Sequence, residues 1–458
     1  MDIEYWGLSR KDKSIYINDV NIRDIIDEFG TPTHIINEKA LKEDIKNVIE
    51  VFKKSYSNFQ LFYSYKTNWT PAILKILLEQ KVGAEVISPF ELWLARAMGV
   101  PSNKIIYNGI IKPEDGLINA IKDPINIINI DTLREIEDIR HLAQKHNKRI
   151  DVGLRLCPPW GWNAQFGLSL KDNEAQIAVR EILKYRDWLN LKGLLVHCAS
   201  GFRNSKYYEK ELDYMFSFAK YINREHGVRI TIFDIGGGLG VPTVENMSKP
   251  EIVLNRFFGR PLRMPQIDKF EKLESIATKI GSKISNKSAS KNSPPPMLHM
   301  ELGRALVSRC QFLVLKVFEV RKRGKKTILI TDGGRNNTTF PMGWEKHFVL
   351  PLRNPKNRNR EKRCYTAVGR ICSPSDWVFK NLSLERIEKG DYLLIMDTGA
   401  YFTSHSNNFS FPRPAIVMVN GNDFCLARER ESYSYMVGMD KIFGSEQVGS
   451  GIDPPFAV

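Results

Sequence analysis

Lys66 closes the run QLFYSYK, placing an amine at the end of a short apolar stretch. Seven further apolar runs also end in, or lead directly to, polar groups. One carries Glu85 and is followed by Ser88 and Glu91. The others lead to Asn108, Asp131, Arg155, His197, then Asp234 with Gly236-Gly237-Gly238, and finally Glu301 with Arg304 just beyond. These residue types together suggest one chemistry. A lysine amine condenses with an aldehyde cofactor to give an imine. A carboxylate beside a pyridine nitrogen keeps that nitrogen protonated, so the ring accepts electrons from a carbanion. An imidazole can stack on one ring face, and successive glycine N–H groups can bind a phosphate.

Singly, each group has a plainer reading. Lys66 alone is a solvated strand end, and His197 alone a structural histidine. Arg304 alone is an ion-pair partner for Glu301. The GGGLG run at 236–240 alone is a bare turn or a dinucleotide loop, although it lacks GxGxxG spacing and belongs to the seventh run, not the first. Their recurrence at one end of every run favours the joint reading.

The apolar runs themselves lie near 60–64, 83–87, 104–108, 126–130, 151–156, 193–197, 230–234 and 297–301. Helical periodicity separates them, for example over 71–79, 89–98, 132–145, 172–186, 206–225 and 266–282. Near-continuous apolar strands alternating with helices mean a parallel sheet buried on both faces. Eight such units predict an α/β fold, a (β/α)8 TIM-type barrel with its chemistry at the C-terminal strand ends. A doubly wound open sheet is the structural alternative. Helices are also expected over 22–29, stopped by Gly30, and over 39–54. The polar stretch 282–296 reads as a loop. After about 305, strand-like runs at 311–320, 326–331, 364–371, 392–396 and 414–419 predict an all-β C-terminal domain. The expected division is an N-terminal segment 1–30 packing with the β domain, a barrel over 31–304 and the β domain over 305–458. No internal repeat is visible.

The 458 residues carry a net charge of +15, spread along the chain with short clusters at 321–326 and 353–363. This reads as solvated surface charge, with no nucleic-acid partner. No apolar run of about 18 residues exists, so no membrane span is expected. The first residues lack an apolar signal core. The six cysteines form no CxxC pair and no metal-ligand spacing, so no metal is expected. Scattered thiols suit a cytoplasmic protein.

The segments FYSYKTN (62–68), HCAS (197–200), FDIGGGLG (233–240), MELGR (300–304), CSPSD (372–376) and DTGAY (397–401) resemble the ornithine/diaminopimelate decarboxylase family. GTPTHII (30–36), RLCPPW…QFGL (155–168) and RPAIVMV (413–419) add to the likeness, which runs in order from about 22 to 420. The resemblance implies pyridoxal 5'-phosphate as cofactor, held by Lys66. It implies His197 on the pyridine face, Glu301 at the ring nitrogen, and Ser200, Gly236, Gly237, Gly238 and Arg304 as further cofactor contacts. Tyr401 would reach the phosphate, with Arg155 and Glu85 close to the lysine and ring. Cys372 would be the proton donor after carbon dioxide leaves, supplied by the partner subunit of a homodimer with shared active sites. Arg304, Trp344, Glu345 and Asp376 would face the amino-acid substrate.

Two departures bear on that substrate. Diaminopimelate decarboxylases place an acid directly after the cysteine, where this chain has Ser373. They also place an arginine–proline pair after the DGG region, where this chain reads NTTFPMGWEKH (337–347). The expectation is therefore an amino-acid decarboxylase acting on neither diaminopimelate nor a standard polyamine precursor, in a secondary-metabolite or siderophore pathway. The alternatives are a racemase or epimerase on the same barrel, and a non-catalytic cofactor-binding regulator.

Overall fold

The computed structural model describes residues 3–11, 14–162, 165–288, 294–339, 341–353 and 361–440. The chain divides into two compact units, Asp44–Val241 with Asp268–Leu306, and Met1–Glu43 with Pro242–Ile267 and Val307–Val458. Of the loop expected over 282–296, the first residues instead continue the helix Leu273–Lys287, while 289–293 lie outside the described residues, as do 354–360 of the basic stretch 353–363 and Asn163-Ala164 of the PPWGWNAQ segment.

The first unit is built on eight parallel strands: Phe59–Ser64, Gly83–Val86, Ile105–Tyr107, Ile127–Ile130, Ile150–Cys157, Leu189–Leu195, Ile232–Asp234 and Met297–Leu302. Each pairs with its sequence neighbour, and the ring closes where Leu298 sits opposite Phe59. The Ile128↔Val152 pairing joins strands four and five. The sheet therefore has no edge, which excludes the open doubly wound alternative. Helices Pro71–Glu79, Pro89–Ala97, Glu114–Lys122, Leu133–Lys145, Glu174–Lys184, Lys206–His226 and Leu273–Lys287 return the chain between strands.

Local sequence sets these helix starts. Ser88 accepts the Glu91 N–H at 3.2 Å, and Pro89 follows, where a missing N–H costs nothing. Thr132 and Glu135 form a capping box, and Glu135 also accepts the Asp131 N–H at 2.7 Å. Inside the barrel, Phe62, Ile106 and Ile127 pack together with Ile232 against them. Gly153 leaves room for Asn129, because a Cβ there would lie 2.1 Å from its side-chain oxygen.

The second unit is a mostly β structure. Its sheet runs in the order Trp377–Glu385, Lys362–Val368, Lys326–Thr331, Gln311–Arg323, Thr33–Asn37, Ala415–Asn420, Asp423–Arg428. Tyr392–Ile395 pairs with both Gln311–Arg323 and Val349–Leu352. Side chains alternate along the central strand: Phe312 and Val314 join one core cluster, while Leu313, Leu315 and Val317 join the other. The first cluster also takes in Trp6, Leu8, Ile17 and Ile35, and the Trp6 indole N–H donates to Asp397 Oδ2 at 2.9 Å. No described helix is long and apolar enough to cross a membrane.

Candidate active site

Strand one ends at Ser64, and the chain turns through Tyr65–Thr67 in one 3-10 turn. The turn holds Lys66 Nζ 3.3 Å from Glu85 Oε2 on strand two. Glu85 is fully buried, whereas the lysine side chain is 37% exposed, so the amine keeps access to solvent. Ser64 Oγ–H donates to the same Glu85 oxygen. Asn108, just past strand three, uses one amide group twice: it donates to Glu85 Oε1 at 2.9 Å and to Glu301 Oε1 at 2.7 Å. Asn129 on strand four donates to Asn108 Oδ1 at 2.8 Å. Strands one, two, three, four and eight thus share one buried hydrogen-bonded layer.

That layer is rich in acids. Burial, reinforced by the charges of Asp234 and Glu85, holds Glu301 well above the ordinary carboxyl range. Burial likewise pushes Asp234 up to about 7, against the Gly236 N–H that it accepts at 2.8 Å. Three carboxyl groups therefore surround a place where a cation would be stabilised.

The glycine loop after strand seven is fixed by its carbonyls. Gly236 O accepts the Glu301 N–H at 2.8 Å, Gly237 O the Tyr208 hydroxyl at 2.8 Å, and Gly238 O the Phe202 N–H at 2.7 Å. A Cβ on Gly237 would stand 2.4 Å from Glu301 O, and Gly236 and Gly238 adopt φ of +58° and +84°. Only glycine fits this sequence of close approaches and left-handed turns. Phe202 ties the loop carrying Ser200 to this glycine loop, through its bond to Gly238 and by accepting the Gly240 N–H at 2.9 Å.

His197 lies against Gly236, where an added Cβ would meet its Nδ1 at 2.8 Å. Burial, then the charges of Lys66 and Arg155, push the imidazole down to about 3, so it is neutral. Its Nδ1 is buried without a hydrogen-bond partner among the described residues. Arg155 is held by Asp131, at 3.2 Å, with its guanidinium 4.5 Å from the Phe166 ring. Arg304 is buried at the start of the turn Arg304–Val307.

The remaining expected residues lie in the β unit. Cys372 is exposed. The carboxylate of Asp376 accepts the Arg335 N–H at 2.6 Å and the Ile371 N–H at 2.7 Å, so it anchors the cysteine loop. Trp344 is 57% exposed, and buried Glu345 lies 3.1 Å from His347 Nε2. Tyr401 holds φ of +73° within a loop whose Asp397 also has positive φ.

The sequence reading did not single out Asn129 or His299. Both are polar residues inside apolar runs, NIINI and MLHME, and that break in composition is their signal. His299 is fully buried, 4.7 Å from the Phe62 ring and 3.9 Å from Asp234 Oδ2.

These groups fit an aldehyde cofactor carrying a pyridine ring and a phosphate. The accessible amine is Lys66. A protonated ring nitrogen would supply a cation beside Glu301 and Asp234, Glu85 being already paired with Lys66. In the glycine loop the carbonyls and the Gly236 N–H are engaged, which leaves the N–H groups of Gly237 and Gly238 as those suited to an anion.

Comparison with known proteins bears out the cofactor. Residues 42–308 match the family model described as pyridoxal-dependent decarboxylase, pyridoxal binding domain. Diaminopimelate decarboxylase of Aquifex aeolicus is 25% identical over 440 residues, covering 94% of this chain and 96% of its own. That of Methanocaldococcus jannaschii is 27% identical over 447 residues, covering 94% and 95%. The solved M. jannaschii enzyme in complex with L-lysine superposes with a TM-score of 0.83 at 25% identity, over 95% of this chain and 98% of that one.

These findings correct the expected substrate. Ser373 and the stretch 337–347 pointed away from diaminopimelate and toward a secondary pathway. Relatives spanning nearly the whole chain carry the name of that very reaction, and a solved one holds lysine. The inference failed because a missing side chain shows how a ligand is not held, and leaves open what else holds it. The racemase and regulator alternatives fall with it: the chain belongs to the pyridoxal-dependent decarboxylases and is a carboxy-lyase that uses pyridoxal phosphate.

Proposed function

We propose that this chain removes one carboxyl group from diaminopimelate, releasing carbon dioxide and leaving lysine. The observation that carries the reading is the hydrogen-bonded Lys66–Glu85–Asn108–Glu301 layer, in a chain whose near full-length relatives bear that enzyme's name. When bound, pyridoxal phosphate supplies an electron sink for the electron pair left at Cα by departing carbon dioxide.

The chain's own residues do the rest. Lys66 holds the cofactor through its amine, and Glu85 keeps that amine oriented. Glu301, fixed by Asn108, holds a proton at the ring nitrogen. Neutral His197 covers one ring face without adding charge. Ser200, Gly236, Gly237 and Gly238 bind the phosphate, with Arg155 steadying the strand-five end beside them. Tyr401, Cys372, Trp344, Glu345 and Asp376 enter through the family resemblance: Tyr401 at the phosphate, Cys372 as the proton donor to Cα, and Trp344, Glu345 and Arg304 toward substrate. The two N–H bonds on Asp376 favour a role in holding the Cys372 loop. We read the assembly as a homodimer with shared sites, working in the cytoplasm.

The test is incubation of purified holoenzyme with diaminopimelate, lysine, ornithine and arginine in parallel, measuring carbon dioxide and product. Lysine formed from diaminopimelate is expected. Release of carbon dioxide from ornithine or lysine, with none from diaminopimelate, would refute the proposal.

A further inference from the structure

We propose that Arg256 and Arg335, which converge on Trp377 within the β unit, form a binding site for a small oxyanion. Arg256 ends the helix Lys249–Arg256, Arg335 opens the turn Arg335–Thr338, and Trp377 begins the strand Trp377–Glu385. Both guanidinium carbons lie 4.9 Å from the Trp377 ring centre, and Lys380 Nζ lies 5.3 Å from it. Three cations thus share one indole.

The two arginines also meet at Gly343. Arg256 Nη2–H donates to Gly343 O, and a Cβ on Gly343 would stand 3.1 Å from Arg335 Nη2. Arg335 Nη1 is buried without a hydrogen-bond partner among the described residues. Nor does any described carboxylate pair with Arg256, Arg335 or Lys380. The acids nearby in sequence are engaged: Asp376 accepts backbone N–H groups, and Glu245 and Glu251 pair with Lys346.

Holding like charges together without a counter-charge is unfavourable, and the indole offsets only part of that. Burial and the Arg256 charge both weaken the proton affinity of Arg335, and Lys380 feels the same two effects. Two guanidinium forks can hold a carboxylate or phosphate through paired, charge-assisted bonds, where a single lysine would act only as a point charge. The ligand class is therefore a small oxyanion. Its source is a free small anion, inorganic or a carboxylate, and the assignment does not rest on the function proposed above.

Calorimetric titration of the holoenzyme with inorganic phosphate, and separately with pimelate, tests the site directly. Saturable binding of at least one is expected, weakened about tenfold or more in Arg335→Gln and in Arg256→Gln, and partly restored in Arg335→Lys. The two titrations then separate the ligand chemistries. Tighter saturable binding of pimelate assigns a carboxylate, whereas tighter binding of phosphate assigns an inorganic oxyanion. Melting temperatures of both glutamine variants equal to the parent's exclude misfolding as the cause. Absence of saturable binding by either anion, or equal affinity in the parent and both glutamine variants, overturns the proposal. Because phosphate binding needs no turnover, it stands or falls apart from the identity of the substrate.

Discussion

Glu301 is held by one amide hydrogen of Asn108 and pressed by two other buried acids. An amide at this position keeps the shape and the bond but cannot balance a charged ring nitrogen. Glu301→Gln should therefore cost about 10²–10³ in kcat, the usual worth of one preorganised electrostatic group. Cofactor retention, measured by absorbance after gel filtration, should change far less. Full activity in this variant would remove Glu301 from the ring nitrogen.

A second buried acid gives a pH signature. Glu211 accepts the Cys198 thiol at 2.9 Å, and burial pushes its carboxyl up to about 8. In the unfolded chain it ionises near the ordinary value of 4.5. The folded state thus binds this proton more tightly, so the contribution to stability is complete below about 4.5 and is lost as pH rises through about 8. Glu211→Gln fixes the neutral form. Its melting temperature should match the parent near pH 5 and exceed it near pH 9 by a few degrees. Parallel melting curves across that range would show that Glu211 does not titrate as a buried acid.

At the scale of elements, the barrel was legible because each strand is a continuous apolar run closed by a polar residue. The strands missed in the β unit lack such a signature for physical reasons. Trp377–Glu385 is interrupted by Asn381 at φ +51° and by register shifts against its neighbour, so its alternation breaks midway. Val349–Leu352 has four residues and contains Pro351. Asp423–Arg428 ends the sheet with both faces largely uncovered, so it needs no apolar pattern. The last barrel helix runs Leu273–Lys287, later than the 266–282 periodicity suggested, with a separate 3-10 turn at Ile267–Lys269 before it. In the site, Lys66, His197 and Glu301 were visible as strand ends. Asn129 was hidden because its inward placement depends on the empty space at Gly153, a partner 24 positions away in a different strand. The glycine loop is where element geometry makes a sharp demand. Gly237→Ala would drive a methyl group into the Glu301 carbonyl, a backbone atom that cannot swing aside. The expected cost is about 1–3 kcal/mol of stability by chemical denaturation, together with weaker phosphate retention. A variant as stable as the parent would mean that strands seven and eight separate there without penalty.

For the whole molecule, the question is how many chains build one site. Lys66 belongs to the barrel unit and Cys372 to an exposed loop of the β unit, anchored through Asp376 to Gly334 and Arg335. The resemblance assigns the thiol to the partner's active site, in the two-fold dimer proposed above. Lys66→Ala alone abolishes cofactor attachment. Cys372→Ala alone removes the proton donor and should slow turnover by about 10²–10⁴. When the two inactive proteins exchange subunits freely, about half of the dimers are mixed. In a mixed dimer with shared sites, one site combines the intact Lys66 of one chain with the intact Cys372 of the other, while the second site lacks both. Activity should therefore recover to roughly a quarter of the parent value. If each site were built within one chain, every site in the mixture would lack one group and no recovery would occur. The measurement is carbon dioxide release after mixing, with exchange verified by mass spectrometry of differently tagged chains. Exchange without recovered activity rules out the shared site and returns Cys372 to a role within its own chain.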